Sequence, residues 1–432
     1  MTRSEDVFRK YREYLITSFV KRVEPVAVAE GKGALVKDLD GREYLDCFSG
    51  ISVANTGHCH DKVVKAIKDQ ADKLLHCCTY MYHVAPAAEL AERLAKIAPG
   101  GLRKTFFCNS GAEAIECAMK MGRKFTKKHE IIALMCSFHG RTLGALSVTG
   151  QWGRRRFDMG PYLGGVSFAP APYCYRCSLG HTYPGCGIQC AEMIEDIIEY
   201  SSSNNVAEFI AEPLLGEGGL IVPPPEYFKT VKKVLDRHGI LFIVDEVQTG
   251  FARTGKMFGI EHYGVNPDIM CLAKGIASGM PLGACIAKAE IADSYEPGDH
   301  LSTFGGNPVS CAAGIASLEV MSELDLPKQA KVKGEYLLNR LRELQETESL
   351  IGEIRGKGLM VGVELVEEHK HKTPAQEKAA KIRELLRMRG ILIGVGGVKG
   401  NVLRIQPPLV IAEKQLDTLM DHLTESMKEV HQ

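Results

Sequence analysis

The sequence predicts an α/β fold, with a large domain built on a mainly parallel sheet and a smaller α+β domain after it. Three observations lead there. Short β-rich runs alternate with helical patterns through the middle of the chain. After Pro308 that alternation gives way to long helices followed by strands. A chain of 432 residues, 45% hydrophobic and 25% charged, is also long enough for a large core and too long for one compact domain.

Taken in order, residues 35–45 read as a hairpin turning at Asp40-Gly41, since an Asp-Gly pair accepts the positive φ of a tight turn. Strands are expected over 104–108, 131–135, 206–211, 240–244 and 269–272. Helices are expected over 112–127, where Ile115, Ala118 and Met119 share a face, and over 226–238, which starts after the prolines at 223–225. Helices that cross from one strand to the next imply parallel pairing. Beyond Pro308 come helices over 309–322 and 328–347, then strands over 359–365 and 402–405. The expected division is a large domain over 51–310 and a small one over 311–432, with no internal repeat or low-complexity tract.

The 53 basic and 53 acidic residues cancel, so no net field favours nucleic acid or an anionic membrane, and a small-molecule substrate is expected. The first 14 residues are strongly charged and lack the apolar core of a signal peptide, and no later run is long enough to span a bilayer. A cytoplasmic location is the expectation. The 14 cysteines then read as reduced thiols, with Cys117, Cys271 and Cys311 at apolar positions where they pack.

Strand ends carry the candidate chemistry. Lys274 follows the apolar run 269–272, and Asp245 closes the run 240–244. A lysine emerging from a buried strand can form an imine with an aldehyde, and a carboxylate keeps a neighbouring pyridine nitrogen protonated. Those two features suggest pyridoxal phosphate, whose protonated ring is an electron sink. The plainer reading of such a lysine is a solvated strand end. In residues 104–114 a strand breaks at Gly111 and a helix begins, so that Ser110, Gly111 and Ala112 offer free amides and the positive end of a helix dipole to a phosphate. An ordinary N-cap by Asn109 or Ser110 is the alternative. The segment Ser137-Phe138-His139-Gly140-Arg141-Thr142 follows another strand, at the sheet edge where α/β ligand sites gather.

Four motifs, NSGAEA at 109–114, IVDEVQTGFARTG at 243–255, LAKGIASGMPLGA at 272–284 and TFGGNP at 303–308, occur in the same order as in the class III aminotransferases. The chain resembles that family from about residue 34 to 412. The resemblance implies the fold type I architecture of pyridoxal phosphate enzymes, with a seven-stranded sheet in the large domain. It also implies an N-terminal segment over 1–50 that packs with the small domain. Lys274 would bear the cofactor and Asp245 would face its ring nitrogen. Phe138 would stack on the ring, with His139 beside it in the same cofactor-binding segment. Gln248 would bond the phenolic oxygen and Glu212 would support the pocket. Thr303 would reach the phosphate from a second subunit, so a homodimer or a dimer of dimers is expected.

The implied reaction moves an amino group from an ω-amino acid, such as 4-aminobutyrate, ornithine or acetylornithine, to 2-oxoglutarate or another 2-oxo acid. Arg141 matches the arginine that binds a substrate carboxylate in those enzymes, a task suited to a planar guanidinium. Arg404 matches the arginine that holds an α-carboxylate, and Glu217 the glutamate that pairs with it when that carboxylate is absent. Related dialkylglycine decarboxylases use a glutamine where this chain has Gly50-Ile51-Ser52-Val53, which counts against decarboxylation and makes Ile51 a substrate-side candidate. Alanine–glyoxylate relatives tend to lack the counterparts of Glu217 and Arg141. Racemisation on the same scaffold needs only that a proton return on the opposite face, and Glu217 and Arg141 argue against it. Tyr80 or Tyr82 is a candidate wall of the substrate pocket.

Cys174, Cys177, Cys186 and Cys190 form C-x2-C-x8-C-x3-C in a loop rich in Pro, Gly and Tyr. That spacing permits tetrahedral zinc; disulfides and four separately packed thiols are the other readings. His58-Cys59-His60 is a weaker metal candidate that matches a structural turn in the family. Arg154, Arg155 and Arg156 read as a solvated face.

Overall fold

The computed structural model describes residues 2–17, 23–151 and 156–431. At its centre is a seven-stranded sheet in the order Lys104–Cys108, Gly283–Ala287, Ile269–Leu272, Leu241–Asp245, Val206–Ala211, Glu130–Leu134, Val166–Ala169. Gly283–Ala287 runs antiparallel to both neighbours, and every other pair is parallel. This is the mainly parallel sheet expected. Four of its strands, 206–211, 241–245, 269–272 and 283–287, are buried along their whole length. A strand covered on both faces has no polar side to show, which is why these segments are almost wholly apolar, with Glu208 inside one and Asp245 at the end of another as the exceptions.

The helix Gly111–Thr126 starts at Ser110, whose hydroxyl accepts the Glu113 amide at 3.2 Å, and buries Ala114, Ile115, Cys117, Ala118 and Met119. Tyr227–His238 stops at Gly239, which takes a left-handed φ of 59°. Pro308–Glu323 is buried on nearly every face and packs against Asp61–Ala71 and Ala85–Ile97. Among the described residues no helix is long and apolar enough to cross a membrane.

Two four-stranded sheets complete the fold. One is ordered Val28–Lys32, Leu35–Asp38, Glu43–Asp46, Ile391–Leu392, so a strand near the C-terminus pairs with the N-terminal hairpin. The other is ordered Ile351–Lys357, Met360–Leu365, Val402–Ile405, Gly394–Gly396. Arg253, fully buried, ties these parts to the large sheet. It donates to the carbonyls of Leu359 at 3.0 Å and Pro407 at 2.5 Å, and to Asn55 Oδ1 at 2.6 Å. These bonds all go to neutral oxygens, and burial lowers the guanidinium below its ordinary range to about 9, opposed by the charge of Asp46.

Arg156 departs from the expected solvated face. It is buried, with its guanidinium 4.3 Å from the Tyr162 ring centre and 5.3 Å from that of Phe168. Flat, weakly hydrated guanidinium groups stack on aromatic rings, and a run of three arginines in sequence does not reveal that partner. Arg154 and Arg155 lie outside the described residues.

Candidate active site

The parallel strands of the large sheet deliver their side chains to one place, because a parallel sheet turns its carboxyl ends to the same edge. Ser110 lies just past Lys104–Cys108, Phe138 and His139 past Glu130–Leu134, Glu212 past Val206–Ala211, and Lys274 past Ile269–Leu272, while Asp245 ends its own strand. These residues, with Gly111, Ala112 and Gln248, line a cavity of about 330 Å³.

At one end are the first-turn amides of Gly111 and Ala112, which have no intrahelical acceptor and carry the positive end of the helix dipole. The Ser110 hydroxyl acts as the N-cap, so the ordinary reading and the anion-binding reading hold for the same turn. Gly140 passes so close that a Cβ there would lie 2.7 Å from that of Ala112.

Asp245 is buried and its carboxylate is fixed, with Oδ2 2.7 Å from His139 Nδ1 and Oδ1 accepting the Val247 amide at 3.0 Å. Glu212 accepts the amides of Phe138 at 2.9 Å and Gly216 at 2.8 Å. Burial, with the Asp245 charge nearby, pushes its carboxyl up to about 7, against the pull of His139. Lys274 sits in a tight turn at a left-handed φ of 47°. Burial lowers its ammonium below the usual lysine range, with the charges of Asp245 and Glu217 opposing, so the free amine is reached at lower pH than on a surface.

Behind Gln248 lies a buried polar cluster. Arg404 donates to Glu217 Oε1 at 2.7 Å and to Gln248 Oε1 at 3.1 Å. Gln406 donates its amide to the same Gln248 oxygen at 2.8 Å and to Ser52 Oγ at 2.7 Å. With its oxygen engaged twice, Gln248 has only its NH2 left for the cavity. Gln406 was not anticipated, although it stands two residues from Arg404 along a strand direction and so on the same face.

Ile51 belongs to a left-handed turn in which Ser49, Gly50, Ile51 and Ser52 have φ of 47°, 63°, 67° and 60°. Such a run is costly for L-residues and persists only where its surroundings impose it. Its neighbour Val53 lines the cavity. Arg141 is exposed, with its guanidinium 4.8 Å from the centre of the Phe138 ring. Thr303 is exposed and lies outside the cavity of its own chain.

Tyr80 and Tyr82 do not line this cavity. Tyr80 turns away to bond the Phe107 carbonyl at 2.6 Å and stacks on Phe106, and Tyr82 is exposed. Cys174, Cys177, Cys186 and Cys190 all border one small void of about 20 Å³, and all four are free thiols. Among the described residues no three metal-binding side chains converge on a common point. In the other metal candidate, His58 pairs with Asp46 at 2.7 Å and His60 caps the helix Asp61–Ala71.

The sequence model for "Aminotransferase class-III" matches residues 18–427. The chain belongs to the class III aminotransferases. Among curated relatives of this family, an acetylornithine aminotransferase of Methanopyrus kandleri is 42% identical, covering 94% of this chain and 95% of the relative. A leucine/methionine racemase of Thermococcus litoralis is 40% identical, covering 100% of this chain and 97% of the relative. Among solved structures, an amine transaminase of an uncultivated Pseudomonas species in its PLP-bound form superposes with a TM-score of 0.89 at 32% identity, covering 96% and 98% of the two chains.

Class III aminotransferases use pyridoxal phosphate, and the cavity fits it. Orphaned helix amides suit a phosphate, a fixed buried carboxylate suits a pyridinium, and a lysine amine opens onto the same space.

Proposed function

We propose that this class III aminotransferase transfers the amino group of an ω-amino acid, of the 4-aminobutyrate, ornithine or acetylornithine kind, to 2-oxoglutarate or another 2-oxo acid. The observation that carries this reading is the buried pair of Arg404 and Glu217 at 2.7 Å, set directly behind Gln248 of the cavity. Taking away the anionic partner of a buried guanidinium leaves an uncompensated charge, which is costly unless another acceptor replaces it. Glu217 supplies one when the donor presents no carboxylate beside its reacting amine. When glutamate or 2-oxoglutarate binds, its α-carboxylate replaces Glu217 on Arg404, while Arg141 holds the distal carboxylate.

Pyridoxal phosphate supplies the electron sink that makes the substrate carbon acidic. Lys274 and Asp245 are the catalytic residues. Lys274, whose free amine burial favours, removes the proton from the amine-bearing carbon of the substrate. Asp245, fixed by His139, would hold a negative charge beside the ring nitrogen and so keep the sink effective. Ser110, Gly111 and Ala112 would hold the phosphate, Phe138 would cover the ring and Gln248 would offer its NH2 to the phenolic oxygen, while Glu212 fixes the Phe138 backbone. Ile51 is assigned to the substrate side of the pocket because Val53, from the same turn, lines the cavity. Thr303, exposed on its own chain, completes the phosphate site of a partner in a homodimer or dimer of dimers.

The test separates the half-reactions by stopped-flow absorbance. Glu217→Ala should improve the glutamate half-reaction relative to the ω-amino one, and Arg404→Ala should do the reverse. A charge-assisted hydrogen bond is worth about 1.5 to 3 kcal/mol, so the preference should move by roughly one to two powers of ten. Equal losses for both substrate types in the Glu217 variant would sink the switch.

A second reading, racemisation, is favoured by the racemase among the relatives, which is 40% identical along the whole chain. Incubating the enzyme with one enantiomer and no oxo acid distinguishes the two. Inversion at a rate comparable to transamination supports the racemase.

A further inference from the structure

We propose that Arg355, held in place by Glu364, is a positioning residue that sets how readily Glu217 releases Arg404, and thereby tunes the balance between ω-amino and α-carboxylate substrates. This inference rests on the switch described above. Its starting point is sheet register. Arg355 pairs with Gly362 across one strand boundary, and Gly362 pairs with Arg404 across the next. Residues directly opposed in neighbouring strands share a face, so the two guanidinium groups stand on one side of the sheet with a glycine between them. The loop that carries Glu217 lies over that gap. A Cβ on Gly362 would come within 3.3 Å of the Gly219 carbonyl oxygen.

Each arginine takes one group of this loop. Arg404 takes the Glu217 carboxylate, and Arg355 clamps the Gly219 carbonyl with Nε at 3.0 Å and a terminal nitrogen at 2.6 Å. The approach is close, for a Cβ on Gly219, where φ is 120°, would stand 3.2 Å from that terminal nitrogen. On the other side of Glu217, the Gly216 amide is held by Glu212 at 2.8 Å. Glu217 therefore projects from a segment pinned on both flanks. It can leave Arg404 by turning its side chain, and the backbone beneath it stays put.

Arg355 is itself immobilised. Glu364, fully buried, accepts its guanidinium at 2.7 Å and also accepts from Tyr173 and Arg176. Arg355 further donates to the Tyr173 hydroxyl at 3.2 Å. Moving it would take one of two cations from the buried Glu364, which would keep Arg176, and would break the pair that Arg355 also makes with Glu353, so the clamp behaves as a rigid post. Tyr173 and Arg176 enter from the loop that bears the four cysteines, which gives that loop a link to substrate choice that passes through Glu364.

Loosening the post should let the Glu217 segment wander, weaken its hold on Arg404, and favour ligands that bring an α-carboxylate. Arg355→Lys keeps the charge beside Glu364 and loses the fork on Gly219. In the holoenzyme it should shift the ratio of glutamate to 4-aminobutyrate half-reactions toward glutamate by about threefold to tenfold. Glutarate, a non-reacting dicarboxylate, should bind more tightly by calorimetry by a similar factor, with butyrate unchanged. Tyr173→Phe, which removes one donor from Glu364, should move both readouts the same way by less, and serves if the lysine variant fails to fold. In a Glu217→Ala background the Arg355 substitution should leave the ratio where it is. A purely structural Arg355 would slow both half-reactions equally and leave the ratio and glutarate affinity untouched, which overturns the proposal. If Glu217→Ala alone fails to move the ratio, the switch itself falls, and this proposal falls with it.

Discussion

At the scale of single residues, Lys274 and Asp245 were readable because each ends an apolar run with a charge, a pattern that puts a polar group at the mouth of a buried strand. The purified protein should be yellow, and Lys274→Ala should abolish both that absorbance band and turnover. Asp245→Ala should retain some cofactor and lose most turnover, because a pyridine that is not protonated withdraws electrons poorly. Unchanged turnover in either variant would remove their catalytic assignment. Gln406 and Arg355 escaped notice for a physical reason. Each acts on a group that is distant in sequence, and a lone glutamine just past a strand, or an arginine within one, does not announce its partner.

Among the elements, the strand Val206–Ala211 contains a residue at odds with its surroundings. Glu208 is fully buried and neither carboxyl oxygen has a hydrogen-bond partner. Burial raises its carboxyl well above the ordinary 4.5, opposed only in part by Arg123. The folded state therefore keeps a proton that the unfolded chain has released, so this residue's contribution is most favourable below pH 4.5 and is lost as pH rises toward the folded value. Glu208→Met should stabilise the protein near pH 8 by about 1 to 3 kcal/mol, the cost of an unsatisfied buried polar group. That gain should shrink toward pH 5. Urea denaturation at the two pH values checks it, and a gain independent of pH would show that Glu208 does not titrate with folding. Two strands of the same sheet were missed in sequence. Val166–Ala169 is only four residues long, and Gly283–Ala287 is small in composition and follows closely on Gly279 and Pro281, which interrupt any regular pattern.

For the molecule as a whole, the four-cysteine loop and the assembly state yield separate expectations. Replacing Cys174 and Cys177 together by serine should leave transamination largely intact, since Tyr173 and Arg176, not the thiols, contact Glu364. Elemental analysis accompanies this test, and a stoichiometric metal whose removal abolishes activity would show that the thiols matter. Sedimentation should give a dimer or a larger even assembly, and Thr303→Ala should weaken cofactor retention although Thr303 lies outside its own chain's cavity. A fully active monomer would refute the shared phosphate site.

By itself the sequence determined the large sheet's main strands, the helix that begins at Gly111, and the strand-end residues that gather at one edge. These follow from local patterns, namely apolar period, caps and breakers, and from the rule that parallel strands end together. Tertiary structure alone decided the rest. The pairing of Ile391–Leu392 with Glu43–Asp46 joins segments far apart in the chain, and no local pattern specifies such a partner. The left-handed turn at 49–52 runs against the intrinsic preference of serine and isoleucine, so only its surroundings can hold it. The register that sets Arg355, Gly362 and Arg404 in one row is likewise a property of three strands meeting, which none of them encodes alone.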